Sequence, residues 1–473
     1  MIMVSGYPKQ RKSFLILLFS HRRFILILFA ISRCSATNAQ TWNVEGSPGF
    51  CTGTAIYTSI AIDKSNNVFV AYADSMYLAT ATVMEYTGGS WATLGGGGFS
   101  GPESYLSIAL DTSGMPYAVY QDNSYPDAGA TVKQYSGGSW VPVGMEDFSS
   151  GEADYTSIAV SPVENIPYVA YRSNPAGGKA RVVKYTGSTW LPIGPPDGFS
   201  VGDEGFSTIA IDNSGTPYVV YQDRSIGSFA ATVKKYTDSA WVNVGTQGFS
   251  AGEADYTTIA ISSSGTPYVA YEDWGNDRKV TVMKFDGTSW VNVGTAGFTS
   301  ANANYPSLAL DTAGNPYVAY QDWPSEKAAV MKFNGTDWVS VGSLDFSAGV
   351  AAWTSITINQ AGIPYVVYED NGDSDKTTVM KYDIATAVNS IGGIANTMKI
   401  FPNPSKGIFT LNIPSISQQN IDVVITNVMG QKVKECTIPA NKEMQIQLVA
   451  APGTYFISAA MESGSIYGKI ELE

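Results

Sequence analysis

The residues of this chain that could do chemistry are carboxylates, a few arginines and two irregular tryptophans. Two segments read Gly-Glu-Ala-Asp-Tyr and carry Glu152 with Asp154 and Glu253 with Asp255. Trp274 and Trp323 each follow an aspartate directly, Asp273 and Asp322. Aromatic faces beside carboxylates suit sugar rings, through stacking and hydroxyl hydrogen bonds. Packing at a rim is the alternative use of the same two tryptophans. Arg172, Arg224 and Arg278 fall near corresponding loops of consecutive repeats. A sialidase needs clustered arginines of this kind, but these three are not at equivalent positions, so their convergence stays open. Asp370, Asp373 and Asp375 lie together in "DNGDSDK", where hard oxygen ligands for calcium could converge. The spacing is not that of an EF-hand loop, and a solvated acidic turn is the alternative.

What is missing narrows the chemistry further. Residues 1–39 carry five basic residues around two apolar runs, "FLILLF" and "FILILFAI", with a sixth, Arg33, after the second, and no acidic residue. This pattern predicts a secretory signal peptide cleaved near Ala39. A retained anchor is the alternative, but each run is too short to span a bilayer, so no stable transmembrane anchor is expected. Cys34 follows Arg33 and so lacks the small residue that a lipoprotein cleavage site requires.

The leader would take with it His21, the only histidine. Without imidazole, a Ser-His-Asp or Cys-His site and a histidine-ligated zinc site are both excluded. Cleavage leaves 22 Lys and Arg against 41 Asp and Glu, a formal charge of −19. Such a surface repels nucleic acid and anionic membranes. Cys51 and Cys436 would be the remaining cysteines, too few for a disulfide framework.

The elements that must position these groups form a repeat. Trp42, Trp91, Trp140, Trp190, Trp241, Trp290 and Trp338 are 48 to 51 residues apart, and the second tyrosine of "SGTPYVAYEDW", Tyr271, recurs in step with them. Each unit parses into four strands, such as "YTTIAIS", "PYVAYED", "KVTVMKF" and "SWVNVG", with an Asp-Gly or Asn-Gly hairpin signal before the last. The first strand carries a small residue, Ala260 in the fifth unit, as a crowded axis requires.

This predicts an all-β chain with a seven-bladed β-propeller over 40–383. The chain opens on a fourth-strand sequence, "TWNVEG", and the seventh unit stops after its third strand. The N-terminal strand should therefore complete the last unit and leave no open edge. Residues 384–397 read as a linker, and 398–473 as a small immunoglobulin-like β-sandwich.

Ligands are expected on the side of the longer loops, which join second to third strands and lead into each first strand. Aspartates end six of the seven second strands, while the third repeat has Arg172-Ser173. Such regular repetition favours a structural role, in which each carboxylate accepts backbone N–H groups at the start of a turn.

The tail carries "FPNPSKGIFTLNI" from Phe401, "VVITNVMGQKV" from Val423 and "APGTYFISAAMESGSIYGKIEL" from Ala451. It resembles the type A C-terminal sorting domain of the Bacteroidota type IX secretion system. The matching positions are Pro402-Asn403-Pro404, Gly407, the segment from Asn427 to Val433, Gly453 to Tyr455, and Lys469. The resemblance implies engagement of the secretion machinery through residues 398–473, then release or attachment at the cell surface. Together these readings predict a secreted or surface propeller that binds a glycan, peptide or protein ligand without catalysis. A carboxylate-dependent glycoside hydrolase or lyase is the alternative, since a pair of carboxylates needs no histidine. A purely structural platform is the third reading.

Overall fold

In the computed structural model the described residues are 41–149, 151–237, 239–383, 398–413, 420–427, 431–461 and 464–473. The expected leader and linker lie outside them. The described chain is all-β, broken only by single 3-10 turns, and it divides between Thr386 and Ala387 into two compact units.

The first unit holds seven four-stranded antiparallel sheets among the described residues, a pattern that fits a propeller. We number them 1 to 7 by their first strands, from Ala55–Ile62 to Ala351–Ile358. Within sheets 1 to 6 the four strands run in chain order. In sheet 7 the fourth place is taken by Thr41–Val44, which pairs with Lys376–Asp383 so that Trp42 faces Tyr382. The N-terminal strand thus completes the last sheet, as its sequence implied.

Second strands lie between first and third strands and are packed on both faces, so they are buried almost throughout; Pro217–Asp223 has no exposed position. Burial on both faces explains their near-continuous apolar reading, and the recurring tyrosines are at most 1% exposed. The "SSSGTP" turn is closed by Gly265 N–H donating to Ser262 O at 2.9 Å, with Gly265 at φ +82°. The Asp286-Gly287 signal does mark a hairpin, with Phe285 paired to Trp290. Its Asp286 carboxylate accepts the Thr288 and Ser289 N–H groups, each at 2.8 Å.

The seven periodic tryptophans tie one sheet to the next. Each indole Nε1 donates to a carbonyl of the preceding sheet or of the segment just beyond it, at 2.6 to 2.8 Å. Trp290, for example, reaches Val244 O, and Trp42 reaches Val341 O. Each indole also stacks on a phenylalanine of the incoming connection, with centroids 4.0 to 4.5 Å apart. A glycine must stand beside it: a Cβ on Gly245, at φ +71°, would lie 2.9 Å from Phe285 and 3.0 Å from Trp290.

The second unit is a small β-sandwich-like pair of antiparallel sheets, one of three strands and one of four. Phe409, Leu411, Val423, Ile425, Ile457 and Ile470 are central to its core. The motif residues of the tail have structural work: Asn403 Nδ2 donates to Lys469 O at 2.8 Å, and Asn403 Oδ1 accepts Glu471 N–H at 2.9 Å. Asn427 Oδ1 accepts Gln431 N–H at 3.0 Å. Among the described residues no helix is long and apolar enough to cross a membrane.

Candidate functional site

The strand-end aspartates behave as turn caps in five sheets. Asp74, Asp122, Asp223, Asp273 and Asp370 each accept the backbone N–H of the residue two positions on, at 2.9 to 3.1 Å. Asp273 also accepts from Asn276 Nδ2 at 2.8 Å and Thr281 Oγ1 at 2.6 Å. Its role is to close the strand. Asp322 is different because Pro324, two positions on, has no N–H to give. Its Oδ1 has no partner at 7% exposure, and burial, reinforced by Asp345, pushes its pKa up to about 6.

Around these caps the first strands bring up a feature whose geometry the sequence conceals. Tyr57, Tyr105, Tyr155, Phe206, Tyr256, Tyr305 and Trp353 all sit at φ +51° to +54°, at a register shift in their strands. Bulky residues rarely adopt this conformation. Here it turns seven half-buried aromatic rings towards one another, each touching the next with centroids 4.7 to 5.6 Å apart. The cycle returns from Trp353 to Tyr57. Their recurrence was visible in the sequence, but their mutual contact was not.

A polar network runs above this aromatic ring through sheets 2 to 6. Gln121 Nε2 donates to Asp154 Oδ1 at 2.8 Å, and Arg172 bridges Asp154 and Asp203, both at 2.8 Å. Arg224 reaches Asp203 at 3.5 Å and donates to Gln222 Oε1 at 2.9 Å; Gln222 in turn donates to Asp255. Trp274 Nε1 donates to the other Asp255 oxygen at 2.9 Å. Arg278 lies 4.9 Å from the Trp274 ring centroid, pairs with Glu272 and donates to Asn304 Oδ1 at 3.3 Å. Asn304 Nδ2 donates to Gln321 Oε1 at 2.9 Å.

Most of the expected site residues therefore meet in one network. Arg172 and Arg224 share Asp203, but Arg278 serves Glu272 and Trp274 instead, so the three arginines do not gather on one anion site. Glu152 bonds Asn174, which also bonds Arg172. Glu253 accepts Trp274 N–H through its carbonyl at 3.1 Å, and its carboxyl pKa is raised by burial and by Asp255. Trp274 is 48% and Trp323 46% exposed. Trp323 is anchored by its backbone N–H to Asn302 O at 3.0 Å and stands outside the network.

The expected calcium ligands are not brought together. Asp370 spends its Oδ1 on Gly372 and Gly349 N–H groups, at 3.0 and 3.2 Å, while Asp375 Oδ1 accepts from Asn371 at 2.7 Å. Among the described residues no group of three carboxylates, cysteines or histidines could hold a metal ion. Turn formation has consumed the carboxylate that a cation would need.

Sequence reading passed over Glu369. It lines a cleft of about 170 Å³ with Val350, Ala352, Asn371 and Asp375. Burial, reinforced by Asp375, pushes its pKa up to about 7. A larger groove, about 410 Å³, lies among the short turns near Gly265 and Asp286 on the other side. It lacks any network of this kind, and its one carboxylate is spent on a turn.

Comparison with known proteins decides the tail. Residues 399–473 match the secretion system C-terminal sorting domain. The sorting domain marks this chain for type IX export to the cell surface or the extracellular space. No curated protein matches the chain.

Among solved structures the chain is similar to PorZ, an essential bacterial surface component of the type IX secretion system of Porphyromonas gingivalis. Identity is 15% over 90% of this chain with a TM-score of 0.47, and the match spans 60% of PorZ. It is also similar to a polysaccharide lyase, an ulvan lyase, at 12% identity over 72% of this chain and 95% of that one, TM-score 0.46. A third is a protein of unknown function from Dyadobacter fermentans, at 10% identity over 73% and 99%, TM-score 0.44.

Proposed function

We propose that the seven sheets are the blades of a closed seven-bladed propeller, spanning 40–383, whose long-loop face binds a glycan at the cell surface. A linker over 384–397 then leads to an immunoglobulin-like sorting domain of type A. Closure is supported by the cyclic contacts of the tryptophans and of the aromatic ring. Glycan binding is carried by one observation: two half-exposed tryptophans on adjacent sheets, at the rim of a face rich in carboxylates, amides and guanidinium groups. Sugar recognition uses this combination of an apolar ring face and lateral hydrogen-bond groups.

The test is calorimetric titration of the exported chain with glycans chosen from an array. Replacing Trp274 or Trp323 by alanine should weaken binding by about tenfold to a hundredfold, the equivalent of about 1.5–3 kcal/mol of lost burial. Unchanged affinity in both variants would overturn this reading.

A second reading, a carboxylate-dependent hydrolase or lyase, draws support from Glu369 and Asp375 sharing an open cleft with the Glu369 pKa raised to about 7. Polysaccharide turnover lost in Glu369→Gln with binding retained would favour it. No binding and no turnover would leave a structural platform.

A further inference from the structure

Six of the seven second strands place a long polar or charged side chain just before their last residue: Gln121, Arg172, Gln222, Glu272, Gln321 and Glu369. The first five are tied down. Gln121 and Gln222 reach across to Asp154 and Asp255 of the following sheet, Arg172 to Asp154 and Asp203, Glu272 to Arg278, and Gln321 to Asn304.

Glu369 alone among them has no hydrogen bond or ion pair to the described residues, and the reason is local. Its cross-strand neighbour is Ala352, where three of the five corresponding pairs have Asp154, Asp255 or Asn304 and the other two have Ser104 and Gly205. The residue that sheet 1 offers in the place of Asp154 or Asp255 is Ile56, which has nothing to donate. Ala352 in the same sheet and Ile56 in the next thus leave the Glu369 carboxyl without a partner.

The surroundings select the ligand. Trp353 directly follows the lining residue Ala352 in the chain, and its indole contacts Tyr57 at 4.7 Å and Tyr305 at 4.9 Å. Tyr305 is within electrostatic reach of Glu369. Asp375 adds a second carboxylate, which accepts from Asn371 and is in no ion pair among the described residues. Arg172, Arg224 and Arg278 are already paired. Lys376 follows Asp375 but pairs with neither carboxylate, and carboxylates near aromatic faces and outside any ion pair among the described residues attract an ammonium group.

We propose that this cleft on sheet 7 is a subsite for the protonated amine of an amino sugar, with Glu369 as the anionic partner and Trp353 as the neighbouring aromatic face. The proposal rests on the reading of this face as a glycan-binding surface and adds the charge class of its ligand.

The test is calorimetry on the exported chain at about pH 7, where the sugar amine is mostly protonated and about half of Glu369 is ionised, with glucosamine, its N-acetyl form, the corresponding oligosaccharides and a lysine amide. The amino forms should bind about tenfold more tightly than the acetylated ones. Glu369→Gln should erase that preference. Ala352→Asn, which installs the amide found at Asn304, should weaken amine binding by occupying the cleft and Glu369 together. Thermal unfolding of both variants reports that the fold is kept.

Equal binding of free and acetylated amines, or a preference that survives Glu369→Gln, overturns the proposal. Lysine amide binding as tightly as glucosamine overturns the sugar assignment. If neutral glycans bind and lose affinity in Trp274→Ala while amines gain nothing, only the subsite falls. If neither class binds, both readings fall.

Discussion

Buried carboxyls without partners are the residue-scale signature of this protein. Glu103 and Glu204 open the first strands of sheets 2 and 4, where the other five sheets have alanine: Ala55, Ala153, Ala254, Ala303 and Ala351. Neither oxygen of Glu204 has a hydrogen-bond partner, and burial pushes its pKa up to about 8; the nearby Ser207, Arg172 and Arg224 offset this only in part. The folded state therefore keeps a proton that the unfolded chain gives up above about pH 4.5. Stability should fall as pH rises from about 4.5 to about 8, by on the order of a few kcal/mol from this group. Glu204→Gln should flatten that slope and raise the melting temperature most at pH 8 to 9. An unchanged pH profile in the variant would count against a buried, protonated Glu204.

At the scale of the element, the unit of cohesion is a tryptophan with its glycine and its phenylalanine. The indole fills a site between sheets, its N–H satisfies a carbonyl, and the glycine keeps the backbone clear of the ring. Trp290→Phe keeps the stacking on Phe249 but leaves Val244 O without its donor, at a cost of about 1 kcal/mol. Trp290→Ala also empties the site and should cost about 3–5 kcal/mol. Denaturant unfolding that ranks the two variants equally would show that the hydrogen bond, and not the packing, dominates. The strand-end aspartates belong to this scale too: five of them do the same capping job, and the sixth fails to because a proline withholds the donor.

For the whole molecule, the two units have separate work. The sorting domain sets destination, and the repeat unit presents the face. Removing residues 398–473 should leave the remainder inside the outer membrane, protected from added protease in intact cells. Appearance of the truncated chain at the surface or in the medium at the undeleted level would contradict export through the tail. The irregular positions of the repeat unit cluster on one face, at the aromatic ring and its polar rim. Similar repeated units can bind asymmetrically only where they differ, and sheet 7 differs by the short Ala352 that faces Glu369.

Much of this architecture could be read from the residues alone. Trp periodicity, the alternation of the strands, the hairpin signals and the fourth-strand sequence at the start are local patterns, and local patterns specify strands, turns and their order. The sorting motifs were legible for the same reason, being contiguous segments. The sequence also showed which residues could do chemistry, and Asp154, Asp255, Trp274 and the three arginines enter one network of contacts. Tertiary structure alone decided how they are used. It joined Arg172 and Arg224 through Asp203 and sent Arg278 elsewhere. It spent Asp370 on backbone amides and turned seven aromatics inward at positive φ. It also left Glu369 without a partner, which no reading of Glu369 itself could reveal. Side-chain pairing between sheets joins residues about thirty positions apart in the chain, so whether a charge is neutralised is a property of the assembled sheets and not of any one repeat.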